Sequence, residues 1–489
     1  MALFDLPSYL NRFFYRFRPF SNRHSNRERL VLQQTQDMLL EYPKAKDAIN
    51  YSRQKLQQIR NQRLRKLLIY AKYKSPWYQK TLAHIDVYNF TEERLNELPV
   101  INKMILMENW DAIVTDRKLS LARAEKHLAR MSRDNDTLYL LDRYHVLSTS
   151  GSSGLRGVFV YDWNEWITFF LSIIRYPLYN QDRSQLLIDP TQKIKIAQVV
   201  VTNTVYAMYS FSKSFIFSNI EKSFFPITSP INQIIKGLNE FRPEALEGTP
   251  TTMHKLCLEA HAGRLKIQPR IINIGGESLY EPIRKLIKEV WPNVNIFNQF
   301  GSSEGLLGIS CHANNNEMHL NDDLCILESV DQFNNPVCKG TLPQRHFVTN
   351  LYNYTLPLIR YEWSDRLLIL DKTCECGVEH QLIAEPQGRP EFDFIYPGNI
   401  FVHHLLFVTP LLLEKNIREY QVIQTKEGAT IKILTIGFVD KKQLQNYICN
   451  QLIKLGLSEP KVNVIRVPQF DYPPSGKLRR FIKLNTEHH

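Results

Sequence analysis

The sequence predicts an α/β protein with a large N-terminal domain, on a mainly parallel sheet, and a small α+β C-terminal domain. Residues 160–300 alternate amphipathic stretches such as Glu281–Val290 with short β-branched runs, Ile194–Val201, Arg270–Ile274 and Val294–Phe297. That alternation is the pattern of parallel strands joined by crossover helices. Beyond Gly388 the composition changes, and about one hundred residues read as a separate unit, with helix-like Lys441–Leu455 and strand-like Thr430–Thr435 and Val462–Val467. The chain has 489 residues, 43% hydrophobic and 22% charged, which excludes a disordered or low-complexity protein and leaves room for at least one large core.

Residues 1–28 form a basic, aromatic extension; the first thirty residues hold six arginines against Asp5 and Glu28, with Phe4, Tyr9, Phe13, Phe14, Tyr15, Phe17 and Phe20 between them. Such a segment suits a peripheral membrane contact or nucleic acid, or else packs its aromatics on the body of the protein. Asn26 to Lys74 is helical in character, with Leu56, Ile59, Leu67 and Ala71 near one face, and Ser75-Pro76-Trp77-Tyr78 reads as its stop. A Ser/Gly loop then runs into the apolar strand ending at Tyr161. The longest apolar runs, Ile167–Ile174 and Leu405–Leu413, fall short of the roughly 18–20 residues that cross a bilayer. The N-terminus lacks the features of a secretory signal, so a soluble, cytoplasmic protein is expected. Sixty-one basic residues against 49 acidic give a net charge of +12, which favours anionic ligands: nucleotides, polyphosphates, coenzyme A, nucleic acid or acidic lipid.

Five stretches carry chemistry. From Leu147 to Gly157 three glycines stand among five hydroxylated side chains. The backbone N–H groups of such a loop form a concave nest for phosphate oxygens, helped by Arg156; the alternative is an ordinary linker. No Gly-Lys-Ser/Thr closes it, so it is not a Walker loop. Gly275-Gly-Glu-Ser278 and Asn298-Gln-Phe-Gly-Ser-Ser-Glu304 each follow an apolar run, at the strand ends where open α/β sheets bind ligands. Glu304 offers a hard carboxylate for Mg²⁺, and Phe300 a flat face for a base. Asp365, after Leu356-Pro-Leu-Ile-Arg-Tyr-Glu-Trp-Ser, suits two ribose hydroxyls; Gln387-Gly-Arg-Pro-Glu391 marks the change of composition; Pro473-Pro-Ser-Gly-Lys477 is a turn presenting a lysine. Seven cysteines make no disulfide framework. Cys311, His319, Cys374 and Cys376 supply three thiolates and an imidazole, a full tetrahedral zinc set, with His312 as an alternative to His319.

In order and spacing these stretches resemble the adenylate-forming superfamily of acyl-CoA ligases, luciferases and adenylation domains. Ser75-Pro-Trp-Tyr78, Leu98-Pro-Val-Ile-Asn-Lys103, Met318-His-Leu-Asn-Asp322, Pro357-Leu-Ile-Arg-Tyr361 and Cys374-Glu-Cys-Gly377 resemble its phenylacetate–CoA ligase-like branch, and within it a group of adenylate-forming enzymes that is poorly characterised. The resemblance runs from about Arg29 to Lys483. It implies a nucleotide- and acyl-binding domain over 29–388 and a small mobile domain over 389–489. Thr149, Ser150, Gly151, Ser152, Ser153 and Gly154 would lie over the ATP phosphates, and Glu304 would take Mg²⁺. Gly276, Glu277, Ser278, Asn298, Gln299, Phe300, Gly301 and Ser302 would line the nucleotide pocket, Asp365 would bind ribose, and Arg389 ribose or phosphate. Glu391 would be the hinge acid, and Lys477 the lysine bridging the substrate carboxylate and the α-phosphate. Val199–Phe211 should shape the acyl pocket, and the zinc set would be structural.

The reaction so implied converts a carboxylic acid, by family weight an aryl acid, to its acyl adenylate with release of pyrophosphate. The acyl group then passes to the thiol of coenzyme A or of a carrier protein's phosphopantetheine. The alternatives are an enzyme using another acceptor, through adenylylation or amide or ester formation, and a retired nucleotide-binding subunit. Nucleic acid is not the expected partner, since it leaves all five stretches unaccounted for.

Overall fold

A computed structural model describes residues 25–134, 138–149, 156–184, 193–311, 313, 316–363, 365, 367–386, 392–414, 416–471 and 478–484. The helical stretch after residue 25 is two helices, Asn26–Asp47 and Arg53–Lys74, separated by a single turn of 3₁₀ helix. Serines set both starts: Ser25 caps the first in a reciprocal box with Glu28, and Ser52 caps the second. Ser75-Pro76 stops the second helix and also starts another, Pro76–Thr81, because Ser75 accepts from the Tyr78 N–H and proline occupies the first helical position.

In chain order the strands are β1 (His145–Ser148), β2 (Val158–Tyr161), β3 (Ile194–Val200), β4 (Ile220–Pro226), β5 (Ala245–Gly248), β6 (Ile271–Gly275), β7 (Asn295–Gly301), β8 (Leu307–Ser310) and β9 (Glu317–Leu320). Next come β10 (Cys325–Val330), β11 (Arg345–Asn350), β12 (Tyr361–Trp363) and β13 (Leu382–Ala384). The C-terminal unit carries β14 (Phe394–Tyr396), β15 (Ile400–Val402), β16 (Ile417–Thr425), β17 (Gly428–Thr435), β18 (Lys461–Arg466) and β19 (Phe481–Ile482). An eight-stranded sheet runs β13-β9-β8-β7-β6-β5-β3-β4. Its strands β4, β3, β5, β6 and β7 are parallel, and the β8, β9 and β13 end is antiparallel. The small unit is a four-stranded sheet, β18-β17-β16-β19, with the helices Leu405–Leu413 and Lys441–Lys454.

One face of the parallel strands buries Ala197, Val199, Leu246, Ile272 and Ile274, in a core that continues through Ile283 and Ile287 of the helix Glu281–Val290 into Leu411, Tyr420 and Ile431 of the C-terminal unit. A second core gathers the N-terminal helices, β1, β2 and the helix Trp163–Ser184. Among the described residues no helix is long and apolar enough to cross a membrane.

Charges fasten the two units beside the core that they share. Glu419 of β16 binds Lys255 at 2.5 Å and Arg480 at 2.6 Å, and Arg480 also donates to Thr251 Oγ1 at 2.8 Å. Arg418 pairs with Glu259 at 2.8 Å. A cavity of about 380 Å³ opens beside these groups, lined by Val199, Ile234, Thr251, Lys255, Glu277 and Arg480 among others.

Candidate active site

The Ser/Gly stretch is the loop of a β-hairpin, because β1 and β2 pair antiparallel from His145↔Tyr161 to Ser148↔Val158. Its neck is tied twice: Thr149 N–H donates to Gly157 O at 3.0 Å, and Gly157 N–H donates to Thr149 Oγ1 at 2.8 Å. Arg156 hydrogen-bonds Ser148 Oγ. The remaining members assigned to the phosphate loop, Ser150 to Gly154, lie outside the described residues, as do His312, Arg389, Glu391 and Lys477.

Gly276 follows β6 directly, with φ +79°, a left-handed backbone that glycine adopts without strain. The next side chain, Glu277, accepts from Thr251 Oγ1 at 2.5 Å and so faces the cavity between the units. Asn298, Gln299, Phe300 and Gly301 belong to β7 itself: the strand expected to end at Phe297 runs on because these residues pair with β6 on one side and β8 on the other. Asn298 is buried and donates to Glu385 Oε1 at 2.8 Å, and Arg284 binds the same carboxylate. Phe300 meets Trp363 edge to face at 5.1 Å, joining β7 to β12.

After β7 the chain turns at Ser302–Gly305, with Gly305 N–H on Ser302 O at 3.1 Å. Main-chain oxygens hold the turn: Ser303 O accepts from Tyr161 at 2.6 Å, Glu304 O from Asn350 at 2.8 Å and Gly305 O from Asn321 at 3.0 Å. Gly305 has φ +96°, and a Cβ there would collide with Asn350 and Tyr352, so only glycine fits. With its backbone fixed by others, the Glu304 side chain is buried at 6% exposure. Burial raises its pKa above the usual carboxylate range, Lys103 opposes that shift, and Asp365 adds to it. Tyr361 hydrogen-bonds Glu304, and its phenol is held protonated by burial and that carboxylate.

Lys103 and Tyr361 were assigned no role from sequence, although both end phrases that carried the resemblance. The structure explains their company. Ile101 bridges to Tyr361, with Ile101 N–H on Arg360 O at 3.2 Å and Glu362 N–H on Ile101 O at 2.7 Å, so the two phrases lie side by side. Arg360 clamps them, pairing with Glu328 at 3.0 Å and donating to Leu98 O at 2.9 Å from a left-handed backbone with φ +48°. A non-glycine residue held there signals that the surroundings over-determine it.

Cys311, His319, Cys374 and Cys376 converge, their four ligand atoms all within 4.8 Å of one another. Cys311 Sγ lies 3.3 Å from Cys374 Sγ, and His319 Nε2 lies 3.2 Å from Cys376 Sγ. Ligands about 2.0–2.3 Å from a tetrahedral zinc would stand at nearly such spacings. Hydrogen bonds from Cys376, His319 and Cys374 pull the Cys311 thiol pKa down, while the proton shared with Cys311 pushes that of Cys376 up. Burial disfavours the His319 cation, but Cys311 and Cys374 outweigh it and raise its pKa. His319 Nδ1 lies 3.4 Å from His380 O, which turns Nε2 toward the thiols.

Beside this cluster is a buried ion network absent from the sequence reading. Arg175 grips Asp323 with two bonds, at 2.6 and 3.0 Å. His380 Nδ1 stands 2.6 Å from Asp322, with Arg60 at 3.5 Å from Asp322 and Arg63 at 3.6 Å from Asp323.

No family model matches the chain. Protein CapK of Staphylococcus aureus is 22% identical over 333 residues, 63% of this chain and 62% of that protein, so the match spans less than two thirds of the relative's length. A 2-hydroxyisobutyryl-CoA ligase in the postadenylation state with 2-HIB-AMP superposes with a TM-score of 0.65, at 15% identity, over 87% of this chain and 88% of that one. The same ligase with 2-HIB-AMP and CoA in the thioesterification state gives 0.55, at 16% identity, over 89% and 91%. The chain therefore has the adenylate-forming-enzyme fold, a large N-terminal α/β domain with a small α+β C-terminal domain.

Proposed function

We propose that the protein is an ATP-dependent ligase that converts a carboxylic acid to its acyl adenylate and passes the acyl group to a thiol, of coenzyme A or of a carrier protein. The observation that carries this reading is the convergence of Glu304, Asp365, Lys103 and Tyr361 at the end of β7, beside the aromatic pair Phe300 and Trp363. A carboxylate attacking an α-phosphate brings anion to anion, so positioning and charge neutralisation dominate, and no general base is needed. Glu304 fits Mg²⁺: it is a hard oxygen donor whose burial disfavours its charge and raises its pKa, a condition a cation relieves. Bound there with nucleotide, Mg²⁺ would neutralise phosphate charge.

In this reading Asp365 accepts the ribose hydroxyls, Phe300 and the backbone from Gly276 to Ser278 face the base, and Thr149 to Gly154 cradle the phosphates. Arg389 contacts ribose or phosphate, Glu391 is the hinge, and Lys477 bridges the two reacting anions. The boundary near residue 389 separates the halves that must move between adenylation and transfer. The four-ligand Cys/His set leaves no open coordination position and is read as structural zinc.

ATP–pyrophosphate exchange over a panel of aryl, alkyl and substituted acids tests the reading. Acid-dependent exchange that falls about 10²–10³-fold in Lys477→Ala is expected, the scale of losing one oxyanion-hole donor. Absence of exchange with every acid, in protein that binds Mg-ATP, rejects it in favour of a retired nucleotide-binding subunit.

A further inference from the structure

Parallel strands covered on both faces ordinarily read as unbroken apolar runs. Three neighbouring strands here carry a polar residue near their C-terminal ends, Gln198 in β3, Glu247 in β5 and Asn273 in β6, besides Lys195 near the start of β3. The interruptions are in register, Gln198↔Glu247↔Asn273, and point to the face opposite the apolar row of Ala197, Val199, Leu246, Ile272 and Ile274. Both amides close on the one carboxylate, Gln198 Nε2 on Glu247 Oε2 and Asn273 Nδ2 on Glu247 Oε1, the latter at 3.0 Å. Among the described residues no cation lies within 4.0 Å of Glu247. Lys222, half-buried on the same face, feels its charge from further away.

The row is unfinished as a structural device. Gln198 is 5% exposed, and its Oε1 has no hydrogen-bond partner. Its amide cannot be turned to cure this, because the oxygen would then face the carboxylate. Glu247 has room for about four hydrogen bonds and receives two. The one buried polar atom in the row without a partner is thus an acceptor, Gln198 Oε1, beside two open acceptor positions on Glu247 and one remaining N–H on each amide, and Glu247 and Asn273 are only half-buried, so the row is reached by solvent. The helix Ala207–Ser214 borders it, with Tyr209 edge to face on Phe224 at 5.1 Å, and Phe224 is the register partner of Gln198. Asn273 stands three residues before Gly276, within about 10 Å along the chain of the proposed nucleotide loop.

We infer that Gln198, Glu247 and Asn273 form the floor of the acid-binding pocket and select a carboxylic acid whose far end carries a hydrogen-bond donor, an amine or a hydroxyl. This rests on the adenylation reading for the role of the pocket. An acid with an alkyl or unsubstituted phenyl end would cover Gln198 Oε1 without a partner and Glu247 with only its two amide donors, and sites built to receive a polar group reject analogues lacking it for that reason.

The test is isothermal titration of the full chain with matched probes: benzoate against its meta-amino and meta-hydroxy forms, and a straight-chain alkanoate against its omega-amino and omega-hydroxy forms. At least one donor-bearing acid should bind about tenfold or more tightly than its apolar parent, and the preference should shrink to less than about threefold in Glu247→Gln and in Gln198→Leu. Equal binding of parent and donor-bearing acids, no binding of any, or a preference untouched in both folded variants overturns the inference. The wild-type series decides if neither variant folds. Pyrophosphate exchange on the same acids separates the two claims: discrimination in binding without exchange removes the adenylation reading alone, and exchange without discrimination removes only the selective floor.

Discussion

Two groups of carboxylates are buried within the large domain and are treated in opposite ways. Asp322 and Asp323 are met by Arg175, Arg60, Arg63 and His380. Burial alone would raise their pKa values, but His380 beside Asp322 and Arg175 beside Asp323 hold both below the ordinary range. Burial prevails at Glu304 and raises its pKa, with the Lys103 charge opposing the rise and the Asp365 charge adding to it. A carboxylate whose charge is matched by protein cations stabilises the fold it sits in. One left short of positive charge is a place where a cation from solution has something to do.

The contrast can be broken most strongly from the balanced side. Arg175→Met leaves Asp323 buried with its two-pronged partner gone, and should lower the free energy of unfolding by about 3–5 kcal/mol in urea titrations. The sign with pH follows from the depressed aspartate values. Their stabilisation is present above the unfolded aspartate range, near 4, and is lost as pH falls through the lower folded values. Wild type should lose stability steeply in acid, and Arg175→Met less so.

Next in size is the thiol cluster. Purified protein should hold one zinc per chain by elemental analysis, and Cys374→Ser should not. Stripping the metal from a site held at about 100 times its Kd should lower stability by about 2.7 kcal/mol, read from chelator-treated thermal melts.

The unbalanced side should answer to ligand. Mg-ATP at about 10 times its Kd should stabilise wild type by about 1.4 kcal/mol and leave Glu304→Gln nearly unmoved in the same melts. Here the pH dependence reverses. A raised folded pKa gives stability that is full below the unfolded glutamate value and lost as pH rises through the folded one, so Glu304→Gln should flatten that loss. The smallest effect marks the baseline. Lys236 and Glu240 pair at 4.0 Å with side chains 79% and 68% exposed, and Lys236→Ala should change stability by less than about 0.5 kcal/mol.

The sheet was legible because it rests on local signals. Glu281–Val290 has the helical bounds read for it, since Pro282 begins it and Ile283 and Ile287 repeat on one face, and β3, β6 and β17 lie where β-branched residues crowd. The continuation of β7 through Gly301 was not legible, because its polar residues and glycine join the strand only through their partners on β6 or β8. In the site, Glu304 and the Cys/His set carry recognisable residue types at recognisable spacings. Lys103, Tyr361 and the network around Asp323 depend on contacts far apart in sequence, such as Ile101 with Tyr361 and Arg175 with Asp323, which no local pattern announces.

The tie between Thr149 and Gly157 bears on how the protein can change over generations. Both bonds across that neck end on main chain or on the Thr149 hydroxyl, so the register of β1 on β2 is fixed before the loop begins. Arg156 aside, which reaches back to Ser148, substitutions between the two residues are thereby less coupled to the pairing of the hairpin. The sequence there can be retuned by drift and selection while the hairpin beneath stays the same.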